Sequence, residues 1–152
     1  MKKTYLKIRW PEIDKEVLVE PCEPNKMLFD WFVDNCPLHT LQGHALVSGK
    51  HLRCRIALNN PYPTEHPEWY TISRAKAPVG TVGVFVAVGK IGSILIKYGE
   101  QTETANYPGI IGNVRPEDLQ TMVEAGEAIW EATNFTKQII TVEYSAVTLE
   151  VQ

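Results

Sequence analysis

Short segments of alternating apolar and polar residues dominate the chain and predict a protein built mainly from β-strands. Residues 5–10 place Leu6, Ile8 and Trp10 on one side and basic residues on the other, which is the pattern of a half-buried strand. Residues 16–20 resume the alternation after a short turn. We therefore expect the two segments to pair as a hairpin.

The most apolar stretch of the chain predicts a central pair of strands. Residues 81–88 and 92–99 form these strands, joined by a turn at Gly89-Lys90. The valines of the first strand all fall on one side: Val82, Val84, Val86 and Val88. Phe85 and Ala87 fall on the other side, and a strand that is apolar on both sides is typical of the middle of a buried sheet.

Three further regions have strand-like patterns. Residues 41–58 contain two such runs around Gly49, which is a natural turn or bulge residue. Residues 69–72 predict a short edge strand, and residues 137–144 predict the last strand, with an extension toward the end of the chain. These regions bring the expected total to seven or eight strands.

Two segments have helical spacing instead. The first covers residues 25–35 and ends before Pro37; its apolar positions are Met27, Leu28, Trp31 and Phe32. The second begins at Pro116, with an apolar stripe at Leu119, Met122, Val123, Gly126, Ile129 and Trp130. Because the strands come in hairpin-like pairs, we predict a mainly β fold: a closed antiparallel barrel of about eight strands with two helices.

Length and composition limit the classes of protein. A chain of 152 residues with 44% apolar and 22% charged residues is expected to form a single domain over residues 1–152. The net charge of -3, with acids and bases interspersed, argues against nucleic acid as a partner. The apolar runs are far shorter than the ~20 residues that span a membrane. Without an apolar leader or a pair of closely spaced cysteines, we expect a cytoplasmic protein.

Four polar residues are candidates for catalysis. His44 precedes a predicted strand, and its imidazole is a natural general acid or base near neutral pH. Lys97 and Tyr98 end the most apolar strand, and Glu100 follows them. Since ligand sites commonly occupy barrel mouths, we predict that these four side chains surround one cavity. The alternatives are a hydrogen-bonded structural histidine and ordinary surface charges.

Other residues are candidates for contacts with a substrate. Arg53 and Arg55 alternate onto one face of a strand, where they would clamp a carboxylate or simply face solvent. Trp69 and His66 lie in or beside a proline-rich loop and would form pocket walls. Asn113 ends the irregular segment that begins at Glu100.

That irregular segment, residues 100–113, lacks apolar periodicity. Loops of this length in compact domains are usually functional or disordered. We predict a mobile lid over the cavity, with Gly109 and Gly112 as hinges.

No cofactor or metal is expected. The chain has no G-x-G-x-x-G and no P-loop motif. His39 and His44 are five residues apart, but no helix aligns the two rings and no carboxylate accompanies them, so a metal site is disfavoured.

The order of elements and short motifs is similar to that of bacterial cyclophilin-like proteins, within the cucumopine synthase-related group. The residues that carry the resemblance are Gly43-His44-Ala45, Ser48-Gly49, Pro78-Val79-Gly80-Thr81-Val82-Gly83, Ile96-Lys97-Tyr98-Gly99 and Gly112-Asn113-Val114. The resemblance implies an eight-stranded barrel with helices at its ends. The Phe-His-Arg signature of prolyl isomerases is absent, so that activity is not expected.

The resemblance also implies a reaction. Cucumopine synthase condenses histidine with 2-oxoglutarate and closes a ring by a Pictet–Spengler step. The leading hypothesis is therefore a cofactor-independent enzyme acting on an amino-acid-derived, carboxylate-bearing substrate. His44 or Glu100 would move the proton, Lys97 and an arginine would hold carboxylates, and Tyr98 would donate to a developing oxyanion.

Two other functions remain open. The barrel would also suit a non-catalytic ligand-binding protein or an accessory subunit of a catabolic complex. A peptide binder would instead show an exposed apolar trough beside Trp69 and Phe85. In each case we expect a homodimer or higher homo-oligomer, because several large aromatic residues are predicted near edges and loops: Trp10, Trp31, Tyr62 and Trp69.

Overall fold

The computed structural model describes residues 1–63, 68–86 and 91–152. Nine strands lie within these residues: β1 (Lys2–Trp10), β2 (Lys15–Pro21), β3 (Leu38–Leu41), β4 (Gly43–His44), β5 (Gly49–Ala57), β6 (Thr81–Val86), β7 (Ile91–Gln101), β8 (Ile110–Val114) and β9 (Thr141–Glu150). The two α-helices are α1 (Lys26–Asp34) and α2 (Leu119–Glu131).

All strand pairs are antiparallel, in the order β3-β9-β1-β2-β8-β6-β7-β5-β4. The two outermost strands of this sheet, β3 and β4, are separated in sequence by Gln42 alone. The Gln42 amide N–H donates to Ile140 O beside β9, and its side chain donates to Arg53 O of β5. One residue thus links the two edges, and the sheet forms the nearly closed barrel that the sequence predicts, with two helices.

The predicted hairpin and central strand are confirmed. Leu6 of β1 lies opposite Val19 of β2, and β6 runs between β7 and β8. Gly49 has a φ of 110° and the β5–β7 register shifts beside it, as expected of a bulge residue. The expected turn at Gly89-Lys90 and the predicted strand residues Ala87 and Val88 lie outside the described residues.

Several local expectations are wrong. Met27 is 55% exposed, because the buried face of α1 carries Leu28, Phe29 and Phe32 instead. The sequence pattern does not predict strand β3. The edge strand predicted at residues 69–72 does not form, and the nearby structure is one isolated bridge between Ser73 and Asn106.

The segment from Glu100 to Asn113 is not a lid. Strand β7 continues to Gln101 and β8 begins at Ile110, so much of this segment belongs to the sheet. Tyr107, in the remaining loop, is 1% exposed and packs with Leu95 and Ile110 in a small apolar cluster separate from the main core. Its hydroxyl donates to Gln101 Oε1 at 3.0 Å. A loop anchored by a buried aromatic side chain is part of the packed structure.

The aromatic residues on which the prediction of an oligomer rests are less exposed than expected. Trp10 is fully buried, and its indole N–H donates to Gln42 Oε1 at 2.9 Å. Trp31, Tyr62 and Trp69 pack against the main core and are partly buried. Self-association therefore remains a prediction without this support.

Candidate functional site

A cavity of about 460 Å³ lies between α2 and the strands β4, β5 and β7. Its lining residues are His44, Leu46, Val47, Gly49, Lys50, Tyr98, Glu127 and Trp130. Since a cavity of this size can hold a small organic molecule, it is the candidate active site.

A glycine brings the helix onto the site. Gly126 of α2 packs directly on the ring of Tyr98, and a Cβ at this position would lie 2.5 Å from Tyr98 Cδ1 and closer still to two other ring carbons. No side chain fits in that space. The close approach holds the ring of Tyr98, which is 3% exposed, with its hydroxyl directed at His44.

His44 and Tyr98 form a hydrogen-bonded pair. Tyr98 Oη lies 2.6 Å from His44 Nε2, and His44 Nδ1 lies 2.6 Å from Ala45 O. Because a carbonyl oxygen only accepts, we assign the proton of the neutral ring to Nδ1, which leaves Nε2 to accept from the tyrosine hydroxyl. Trp130 packs against the imidazole with ring centroids 4.8 Å apart.

Burial sets the protonation states of this pair. Desolvation lowers the pKa of His44, opposed by the hydrogen bond to Ala45 O, so the imidazole is neutral at pH 7. Desolvation, with a smaller contribution from the nearby Glu127 carboxylate, raises the pKa of Tyr98 to about 12. The site therefore combines a neutral base with a protonated hydroxyl, the arrangement that proton transfer requires.

The structure brings two of the four predicted residues, His44 and Tyr98, to one cavity, together with three polar and aromatic residues that the sequence pattern does not single out. Lys50, Glu127 and Trp130 complete the lining with one cation, one anion and one aromatic ring. A glycine in the apolar stripe of α2, Gly126, indicates a close approach of the helix to the barrel. Glu127 is the next residue, so the same feature of the sequence points to its position near the cavity.

Lys97 does not lie in this cavity, contrary to the prediction. Lys97 and Tyr98 are consecutive residues of β7, so their side chains project from opposite faces of the strand. The Nζ atom donates to Arg74 O at 2.8 Å, Ala75 O at 3.1 Å and Ala77 O at 2.7 Å. Burial lowers the pKa of Lys97, opposed by Glu100. Lys97 thus anchors the segment 74–77 to the barrel.

We expect Lys97→Met to lower the free energy of unfolding by about 2 kcal/mol, because three carbonyl oxygens lose a charged donor. Urea unfolding measures this effect. Lys50→Met, which removes an exposed ammonium group, is the matched control and should change stability by less than about 0.5 kcal/mol. Equal losses in the two variants would contradict an anchoring role for Lys97.

The other predicted site residues lie elsewhere. Glu100 is exposed and does not line the cavity. Trp69 packs against the main core, and Asn113 donates to Thr81 Oγ1 at 3.2 Å between β8 and β6. Arg53 and Arg55 project from the outer face of β5 into a separate groove. His66 lies outside the described residues.

His51, a second histidine near the site, is 2% exposed. Its Nε2 lies 2.6 Å from Ser48 Oγ, and its Nδ1 has no partner among the described residues. Burial, together with the positive charges of Arg53 and Arg74, lowers the pKa of His51 to about 4. The imidazole is therefore neutral in the folded protein at pH 7.

This pKa predicts a loss of stability in acid. The unfolded chain binds the proton near the ordinary histidine pKa of about 6.5, before the folded chain does. Above that pH the titration of His51 does not lower the free energy of unfolding. As the pH falls from about 6.5 toward 4, the free energy of unfolding decreases, because protonation of this histidine favours the unfolded chain. We expect urea unfolding to show a loss of about 2 kcal/mol from this group over that range. The variant His51→Gln should have a correspondingly flatter pH profile, and an unchanged slope would refute the assignment.

Within residues 1–63, 68–86 and 91–152, no group of three or more His, Cys, Asp or Glu side chains is placed to hold a metal ion. No helix in the same residues is long and apolar enough to cross a membrane.

The fold and the cavity together define a small antiparallel β-barrel with a ligand-sized, mainly apolar cavity against its longer helix, whose lining includes a histidine, a tyrosine and two charged side chains. McbB, solved in complex with tryptophan, has a similar structure: the TM-score is 0.72, and the sequences are 30% identical over 92% of this chain. The chain spans 44% of the length of McbB. No family model and no curated protein sequence matches this chain.

Proposed function

We propose that this protein is a small-molecule enzyme that acts on an amino-acid-derived, carboxylate-bearing substrate in the His44 cavity. The observation that carries the proposal is the 2.6 Å hydrogen bond between His44 Nε2 and Tyr98 Oη in a cavity that also contains opposite charges. The similarity to McbB, which binds tryptophan, supports an amino acid as the substrate class.

The lining of the cavity complements an α-amino acid. Lys50 supplies a cation for the carboxylate, and Glu127 supplies an anion for the ammonium group. Trp130, Leu46 and Val47 offer apolar surface for a side chain. Because the two charged groups have opposite signs, the cavity favours ligands that carry both a carboxylate and an ammonium group.

The hydrogen-bonded pair would move the proton. A substrate C–H or N–H group gives its proton to the Tyr98 oxygen while the hydroxyl proton passes to His44 Nε2. The Ala45 carbonyl, which accepts from Nδ1, stabilises the imidazolium ion that results. In the reverse direction the pair returns the proton to a leaving hydroxyl group, which departs as water.

These two steps suit a condensation of an amino acid with a 2-oxo acid followed by ring closure. Loss of water from a carbinolamine needs an acid, and removal of a proton after C–C bond formation needs a base. A Pictet–Spengler-type reaction of the cucumopine synthase kind is the specific reaction we propose. It needs no resident cofactor, because neither the loss of water nor the ring closure is a redox step and both need only proton transfer.

A second function, a non-catalytic ligand-binding barrel, is favoured by one observation. Arg53 and Arg55 share a groove with a third arginine, Arg74, away from the His44 pair. A binding protein needs such a clamp but no acid–base pair. Removal of Tyr98 Oη should therefore abolish the activity of an enzyme but leave ligand binding by a binding protein unchanged.

Binding and turnover together test the proposal. We expect tryptophan or histidine to bind in calorimetric titrations, and Lys50→Gln to weaken the binding about ten-fold. Incubation of the bound amino acid with 2-oxo acids should give a cyclised product detectable by mass spectrometry. Lys76→Gln, an exposed lysine away from the cavity lining, is the matched control. Binding without product, unaffected by Tyr98→Phe, would support the binding-protein alternative instead.

A further inference from the structure

Three arginine side chains line a groove on the outer face of the barrel. Arg53 and Arg55 extend from β5, Arg74 comes from the segment held by Lys97, and the groove has a volume of about 510 Å³. Its remaining described lining is Phe85, Ile91, Ser93 and Leu95. A second hollow of about 450 Å³ adjoins it and shares Arg53, Arg55 and Ser93.

The positive charge of this groove is not neutralised within the described part of the chain. None of the described lining residues is acidic, and no ion pair among them involves Arg53, Arg55 or Arg74. Three guanidinium groups in one concave site repel each other and create a positive potential that attracts anions. An anionic ligand would relieve this repulsion.

Arg74 is held in place before any ligand arrives. Its guanidinium carbon lies 5.8 Å from the ring centroid of the buried Tyr107, a cation–π contact. Its backbone N–H donates to Ala105 O at 2.9 Å, and its carbonyl accepts from Lys97. The Nε atom is buried and has no partner among the described residues. These contacts hold the guanidinium group of Arg74 in a fixed position at the lining of the groove.

We infer that the groove is a binding site for a small dicarboxylate. Arg53 and Arg55 are two residues apart on one face of a strand, so their side chains start about 7 Å from each other. Carboxylates joined by about three methylene carbons reach two guanidinium groups at this separation, each in a bidentate pair. Leu95 and Phe85 contact the methylene chain, and Arg74 adds a third donor.

This site is separate from the His44 cavity. The two share no described lining residue. The inference therefore does not rest on the proposed function, and a failure of either leaves the other standing.

Calorimetric titration with glutarate at physiological salt tests the inference. We expect saturable binding, with Arg53→Gln and Arg55→Gln each weakening it about ten-fold. Arg53→Lys keeps the charge and loses the bidentate geometry, so it should also bind less tightly than the wild type. Arg9→Gln, an arginine on β1, and Tyr98→Phe in the other cavity should bind as the wild type does. Butyrate, which has one carboxylate on a similar chain, should bind about ten-fold more weakly than glutarate.

Three results would overturn the inference. One is the absence of saturable heat with glutarate, and another is binding that survives both arginine substitutions. Equal affinities for glutarate and butyrate would exclude recognition of two carboxylates. Circular dichroism of each variant confirms that its fold is intact before titration, since both arginines are exposed.

Discussion

His44→Ala is expected to lower turnover by about a hundred-fold or more, because it removes the base of the proposed proton transfer. Tyr98→Phe should have a comparable effect, since it deletes only the hydroxyl group that bonds to Nε2 at 2.6 Å. The phenylalanine ring keeps the packing against Gly126. Steady-state kinetics on the substrate identified by product formation measure both effects.

Stability distinguishes this catalytic role from a structural one. His44 is half-buried at the cavity, so its loss and that of the tyrosine hydroxyl should each change the free energy of unfolding by about 1 kcal/mol or less. His39→Ala, at an exposed histidine on β3, is the matched control for turnover. Full activity in His44→Ala would refute the proposed proton transfer. The pH profile gives a second check: activity should be lost as the pH falls through the lowered pKa of His44.

Gly126→Ala should destabilise the protein by about 3 kcal/mol, although alanine favours a helix over glycine by about 1 kcal/mol. The new methyl group would overlap three carbons of the Tyr98 ring, which is 3% exposed and packs directly against α2. Either α2 moves outward or the ring leaves its position. Both outcomes separate Tyr98 Oη from His44, so turnover should fall with stability.

A double-mutant cycle tests the cause of this effect. Tyr98→Ala alone leaves a cavity and is destabilising, but it makes room for the methyl group of Gly126→Ala. The double variant should therefore be more stable than the sum of the two single effects predicts, by about 1 kcal/mol or more in urea unfolding. Additive effects would show that the methyl group clashes with something other than the ring.

Alternation along β7 predicts which of its side chains share a face. It places Lys97 with Ser93 and Leu95, on the opposite side from Tyr98. A cavity against α2 therefore contains Tyr98 and excludes Lys97. The sequence pattern does not indicate that the segment 74–77 covers Lys97, because apolar residues do not recur at regular intervals in that segment. Its position depends on the contacts of its carbonyl oxygens with Lys97, which lies 20 to 23 positions later in the chain.

The segment from Glu100 to Asn113 shows the same limit. Gly109 and Gly112 suggest flexibility when they are considered alone. In the fold, a Cβ at Gly112 would overlap the carbonyl oxygen of Glu20, so this glycine permits a close strand approach and is not a hinge. The partner strand lies about 90 residues away, and a local pattern carries no information about it.

The pattern of apolar and polar residues is sufficient to predict the class of fold, because side chains that alternate with a period of two point to opposite faces of a strand whatever their partners are. The same pattern indicates the buried faces of β1, β6 and α2. His44 and Tyr98 are candidates for catalysis from the sequence alone. Only the tertiary structure shows which outer strand faces are packed against other segments and which side chains line the same cavity. Lys50, Glu127 and Trp130 meet around the histidine, and Arg74 joins Arg53 and Arg55, through contacts between segments distant in the chain. Such contacts depend on how whole elements pack, which short-range periodicity does not encode.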